Sequence, residues 1–331
     1  MATKLVALNN PQDGKTGARF WAVTAALTSA VFFGVNAVAS KILYAPEVPA
    51  GFDPVSLFIT RGFWTLPLFL VLALVTRPKP LPRLTRKDAS LFLLCGIAYG
   101  PGTNALSALG AGATSASHAV LLLSLFPPLA AALAALFLGE RLAVIKLVAI
   151  AIGVAGAAVL TLSKSSNGTT VTGDLLISGF ILTWALLTIG IRELDQSYPA
   201  LFVVGVFGTV GSIFLVLTGA GLGRLDAVLI PLRYFDLQTV IWFDLELVVL
   251  LSLGGQLLQG FALRRLNVGM VVALTSYGSI FSGLLASLVV LGERLNTGDI
   301  FAGSFLVIAL GLSLVPETVF KNWHAAPVSK G

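Results

Sequence analysis

Charge is scarce in this sequence, and sulfur and histidine are scarcer. Lys, Arg, Asp and Glu together make up 11% of the 331 residues, whereas a soluble domain carries about 25%. That deficit excludes a soluble enzyme, a secreted scaffold and a disordered chain. One cysteine, Cys95, sits inside an apolar run, so no intrachain disulfide exists and redox chemistry is not a theme. Only His118 and His324 are histidines. No His/Cys/Asp set has metal-ligand spacing, and no metal or other cofactor is expected. A Gly-x-Ser-x-Gly turn is missing, as is a nucleotide-binding loop, so neither hydrolase chemistry nor direct ATP drive has a basis. An enzyme would need a nucleophile with its base at membrane depth, and none is in view.

What fills the chain is hydrocarbon. Hydrophobic residues are 56% and the mean hydropathy is +0.94. Runs near twenty apolar residues read as membrane-spanning helices. About ten are visible, at 20–43, 54–76, 88–110, 114–138, 143–163, 173–195, 199–221, 243–264, 268–291 and 297–319. The fold class is therefore all-α, a polytopic membrane protein whose first partner is the lipid bilayer. The net charge of +6 forms no continuous stripe, and nucleic acid is not a partner. Placing the N-terminus inside leaves only Lys41, Lys164, Arg224, Arg233 and Arg294 outside. The resulting bias of about three to one towards the cytoplasmic side puts both termini there. Lys15 and Arg19 ahead of an apolar run raise a cleaved signal peptide, but the run is longer than a signal core, and cutting it would leave nine spans.

The sequence also repeats. Leu138-Gly139-Glu140-Arg141-Leu142 returns 153 residues later as Leu291-Gly292-Glu293-Arg294-Leu295, each copy directly after an apolar span. Five spans separate the copies, and five is odd, so the second copy enters the membrane inverted. Inverted repeats mark secondary transporters whose site lies where the halves meet. The expected organisation is a cytoplasmic tail (1–19), one five-helix repeat (20–164), a second (173–319) and a C-terminal tail (320–331). Glu140-Arg141 and Glu293-Arg294 read as helix-end caps, with a gating salt bridge as the alternative. Gly100-Pro101-Gly102-Thr103 falls opposite Leu253-Gly254-Gly255-Gln256 at the same offset. Proline and glycine weaken helices there, and paired interruptions point to a binding region; close helix packing is the bland alternative.

The repeated Gly-Glu-Arg-Leu, the ten spans and the inverted halves resemble the EamA-type transporters of the drug/metabolite transporter superfamily. Phe33-Gly34-Val35-Asn36 with Lys41 resembles the first-helix signature, with Phe33 in place of a Trp. Pro54 with Arg61 resembles the start of the second helix, and Pro127 resembles the fourth-helix proline. Among these transporters the chain looks most like the YddG-type aromatic amino acid exporters. The resemblance implies a bacterial inner-membrane carrier working by alternating access, with a small-molecule substrate. Aromatic amino acids come first; a methyl viologen-like organic cation or another metabolite moved with protons is the alternative, and a membrane scaffold or receptor that transports nothing is the third reading.

Polar and aromatic groups at membrane depth supply the candidate site. Trp and Tyr belong at the interfaces, yet Trp64, Trp184, Tyr99 and Tyr277 lie near span centres. They suggest a partly polar cavity with aromatic walls. Asn36, Asn104, Gln256 and Ser276 add neutral donors and acceptors, suited to a zwitterion, although helix-to-helix bonding explains any one of them. Arg61 either snorkels or neutralises a substrate carboxylate. His118 is either a hydrogen-bonded interface residue or one with a gating or a proton-sensing role. The acidic residues fall in tails, loops and helix ends, none at mid-membrane, so transport without obligatory ion coupling is expected.

Overall fold

The computed structural model describes residues 11–45, 51–80, 82–138, 144–163, 168–233, 254–263, 265–266 and 268–315. Every regular element among them is helical. In hydrocarbon no water satisfies the backbone, and a helix satisfies it within one segment. The long helices are α1 (Pro11–Leu43), α2 (Pro54–Val75) and α3 (Arg86–Ile97). A π-helical segment (Ala98–Ala105) then leads into α4 (Leu106–Ala113). A 3-10 turn (Leu123–Leu125) joins α5 (Ala116–Leu122) to α6 (Phe126–Leu138). There follow α7 (Val144–Leu162), α8 (Val171–Leu194), α9 (Ala200–Gly221), a short α10 (Ile230–Arg233), α11 (Gly254–Leu263), α12 (Val268–Val290) and α13 (Thr297–Ser313).

Among the described residues, seven helical stretches are long and apolar enough to cross a membrane: 18–43, 54–75, 116–137, 144–162, 171–194, 200–221 and 270–290. The other three expected spans differ for separate reasons. The third is divided, because Pro101 lacks an amide hydrogen and two glycines flank it; the chain widens into π-helical turns instead of breaking. The eighth shows only α11, since 243–253 lie outside the described residues. The tenth, α13, is apolar but 17 residues long.

Local chemistry explains where helices begin. Asp53 caps α2, accepting from the amides of Val55 (2.9 Å) and Ser56 (3.0 Å), with Pro54 as the first helical residue. Burial alone would raise the Asp53 carboxyl, but the Ser56 amide and hydroxyl and the Arg224 guanidinium outweigh it and hold it below the usual carboxylate range. Thr85 with Asp88 and Asn296 with Asp299 form capping boxes on α3 and α13. Ser115 and Thr170 cap α5 and α8.

The helices pack in pairs around a middle layer. α2 lies along α9, α1 along α12, and α7 along α13, while α8 runs between α4, the π-helical segment and α6. Several crossings are too tight for a side chain. A Cβ on Gly100 would stand 2.4 Å from the Gly211 carbonyl oxygen, and one on Gly283 would stand 2.5 Å from that of Gly34. Small residues are what allow membrane helices to approach this closely. The first copy of the repeated motif, with Glu140 and Arg141, lies outside the described residues, as do Trp242, Asp244, Glu246, Trp323 and His324.

Candidate functional site

The wide π-helical turn does more than interrupt a span. It carries Tyr99, Thr103 and Asn104 onto the wall of a partly open cavity of about 120 Å³, room for several waters. Asn104 is held at both ends. Its Nδ2 donates to the Tyr99 carbonyl at 2.8 Å, and its Oδ1 accepts from Arg61 Nη1 at 3.2 Å. Those two bonds fix which way the amide points. The Thr103 hydroxyl donates to the same Tyr99 carbonyl. Arg61, 4% exposed, therefore does not snorkel; its guanidinium is part of the cavity wall. Among the described lining residues it is the charged one.

Another part of the wall is aromatic. Trp184 stacks on Phe126 (centroids 4.4 Å apart, planes 27° apart) and on Phe180 (5.7 Å, 17°), with Phe33 tilted against it at 5.7 Å. Offset and tilted pairs of this kind gain beyond the area they bury. Asn36 from α1 and Ser107 from α4 add polar atoms to the lining. Tyr99 shows the cavity only part of its surface. Its ring is 6% exposed and packs edge-on against Phe69 and Phe207 at 5.5 and 5.4 Å.

Five of the ten expected site residues thus meet at one cavity: Tyr99, Trp184, Asn36, Asn104 and Arg61. Trp64, Tyr277, Ser276 and His118 do not line it. Trp64 turns away, its indole donating to the Val228 carbonyl at 3.2 Å. Tyr277 is 40% exposed on α12, its hydroxyl beside Gly311. Ser276 is its neighbour on the same helix and its carbonyl accepts from Ser279. The Gln256 side chain lies outside the described residues. Position along a span says how deep a residue sits but not which way it faces. Phe126 and Phe180, which hold Trp184, were not expected; the aromatic i, i+4 spacing of Phe180 and Trp184 was the available signal.

His118 lies elsewhere, and its surroundings correct the view of the acidic residues. Its ring is fully buried, with Nδ1 3.1 Å from Asp174 Oδ2 and Nε2 3.1 Å from Asp299 Oδ1. Both aspartates do start helices, as expected, but at 1% and 0% exposure they are core groups and not loop groups. Thr114 donates to Asp174; Ser163 Oγ (2.9 Å) and the Asn296 amide (3.0 Å) donate to Asp299. Thr172-Gly173-Asp174 and Thr297-Gly298-Asp299 share a tripeptide, and that recurrence was the overlooked signal. Beside them Glu293 accepts from the amides of Ala116 and Ser117, both at 2.8 Å. The second Gly-Glu-Arg-Leu therefore caps α5, a structural role.

Comparison with known proteins follows the same outline. Residues 20–162 match the EamA-like transporter family. Over 195 residues the chain is 30% identical to the uncharacterized transporter YvbV of Bacillus subtilis, a stretch covering 57% of this chain and 59% of that protein. An uncharacterized transporter of Methanothermobacter thermautotrophicus is 23% identical over 299 residues, 84% of this chain and 82% of the other. A protein crystal structure, 16% identical, shares the fold with a TM-score of 0.57, covering 94% of this chain and 99% of that one. The first half of the chain is thus similar to EamA-like transporters, and the described residues hold several helices apolar and long enough to cross a membrane.

Proposed function

We propose that this chain is a secondary carrier, and not an enzyme, that moves small amphipathic metabolites carrying an anionic group, aromatic amino acids first among them. The observation that carries this reading is the presence on the wall of one cavity of a buried arginine and of an indole already stacked on two phenyl rings. Arg61 would take a carboxylate. Asn36, Ser107 and the Asn104 amide offer polar contacts to an ammonium. Trp184 and Phe180 would hold a planar side chain. A buried cation in the wall disfavours the organic-cation alternative.

In this reading residues 20–164 and 173–319 are the inverted five-helix repeats of a ten-helix bundle that rocks about the cavity, with the tails on the cytoplasmic side of a bacterial inner membrane. The reciprocal packing of α2 with α9 and of α7 with α13 supports it, because each pair would join equivalent helices of the two halves. Among the described residues the lining carries no carboxylate, which favours flux down the substrate's own gradient, outward from a loaded cytoplasm.

The test is uptake of labelled phenylalanine, tryptophan, threonine and methyl viologen into liposomes holding the purified protein, without an ion gradient. Saturable flux of the aromatic amino acids, lost in Trp184→Ala and kept in Trp184→Phe, is expected. Flux of methyl viologen alone, or flux untouched by Trp184→Ala, would overturn the substrate and the site. Trp184 is a better probe than Tyr99, whose ring also builds the core.

A further inference from the structure

The buried Asp174–His118–Asp299 chain has a protonation requirement that its geometry imposes. Both ring nitrogens lie at hydrogen-bond distance from carboxylate oxygens. A neutral imidazole has one N–H, so with two ionised aspartates one nitrogen lone pair would face an anion at 3.1 Å. Two N–H···O contacts need one proton more than neutral imidazole and two carboxylates hold. The aspartates are poor places for that proton. Each already accepts from a hydroxyl, Thr114 or Ser163, and Asp299 accepts from the Asn296 backbone N–H as well, so both carboxylates act as acceptors. The proton belongs on the ring.

We propose that His118 is a proton-binding site that locks this end of the bundle shut. As imidazolium it ties α5 to both α8 and α13, and through Ser163 to the end of α7. Its gating role rests on the carrier reading above, in which α5 belongs to one half and α8 and α13 to the other; its proton does not. The lock stands directly over the cavity, because Ala119 and Ile177, one residue and one turn from His118 and Asp174, line it. Releasing the proton to the solvent at that end converts imidazolium and two carboxylates, net −1, into imidazole and two carboxylates, net −2. One N···O contact then turns repulsive in a dry site, and one helix must move off.

The charged groups around the cluster are of both signs. From the chain ahead of α13, Glu293 sits on the α5 amides, within electrostatic reach of Lys41 at the end of α1. α12 carries Tyr277, beside Gly311; α4 and α7 meet the cluster through Thr114 and Ser163, which do not titrate. The opposite end is joined more weakly. Lys87 and Glu193 pair there at 3.5 Å in the open, and the Tyr198 hydroxyl donates to Asp88 at 3.1 Å. A proton lost and regained on one side moves no charge across the membrane, so the lock makes transport pH-dependent without coupling it to a proton gradient.

Two readouts on the full chain test this without requiring flux. In His324→Gln, nitrogen NMR of the one remaining histidine in lipid nanodiscs should show both ring nitrogens protonated at neutral pH. In a Cys95→Ser background, Ala111→Cys marks the cavity wall near the lock. Its maleimide labelling, measured beside the exposed Leu222→Cys as a reference thiol, should rise at alkaline pH roughly tenfold more than in the Asp299→Asn protein, the factor expected when one buried charge-assisted hydrogen bond is lost. A neutral ring at neutral pH, or labelling that rises alike in both proteins, would overturn the proposal. The NMR result stands even where Asp299→Asn fails to fold. Lost flux with a protonated ring would sink the carrier reading alone; flux with a neutral ring would sink the lock alone.

Discussion

Asn104→Leu isolates the linkage that builds the cavity wall. Leucine fills nearly the same volume but neither accepts from Arg61 nor donates to Tyr99. The two losses are unequal. The Tyr99 carbonyl keeps the Thr103 hydroxyl as a donor, so it is not left bare. Arg61 loses the acceptor 3.2 Å from Nη1, and a hydrogen bond to a charged buried group contributes about 1.5–3 kcal/mol in soluble proteins. Arg61 has further contacts, and polar pairs within membranes average only about 0.6 kcal/mol, with a ceiling near 1.7. The membrane ceiling and the charge together place the cost at about 1–2 kcal/mol. At about 2 °C per kcal/mol for a chain of this size, melting in detergent should fall by roughly 2–4 °C. Thr103→Val is the control: it removes only the second donor to a carbonyl that Asn104 still serves, and should cost less than about 0.6 kcal/mol. If both variants melt alike, or Asn104→Leu melts with the wild type, the Arg61–Asn104–Tyr99 linkage does not hold the wall and the reasoning fails.

Gly211→Ala would place a Cβ 2.8 Å from the Gly96 carbonyl oxygen and the Tyr99 ring, and overpacking of this kind costs about 1–3 kcal/mol; Gly221→Ala, with nothing within 4 Å, should leave the melting temperature unchanged. Glu293→Ala strips two amides at the start of α5 of their acceptor and should lower the melting temperature clearly more than Glu293→Gln, which keeps one acceptor; equal losses would refute the capping role. The Asp53–Arg224 pair gives a pH-dependent term of known sign. Because the folded carboxyl is held below its unfolded value of about 3.9, its contribution is complete above that value and lost as pH falls through the lowered folded one. Melting of wild type and Asp53→Asn should therefore converge in acid, and a gap that widened in acid would contradict it. The effect is small, since both side chains are 44% exposed.

The depth and type of most elements could be read from residue order alone. Hydrocarbon leaves the backbone no partner but itself, so an apolar run of twenty residues has little choice except a helix, and α2, α7, α8 and α9 fall where such runs lie. Gly100-Pro101-Gly102 marked its own irregularity, because a missing amide hydrogen is a local fact. The direction each side chain faces was not local. Trp64 and Trp184 look alike in sequence, both mid-span, yet one donates to the Val228 carbonyl and the other stacks beside a cavity. That difference comes from which helices pack against α2 and α8. The His118 cluster shows the limit most clearly. Asp174 and Asp299 stand 56 and 181 residues away along the chain, and the Thr-Gly-Asp they share marks them as a pair without saying that a histidine from another helix seals them from water. A cap needs only its own turn, whereas a buried charge needs a partner that another helix must deliver. Sequence determined the helices and their caps; the tertiary structure alone decided which caps became a site.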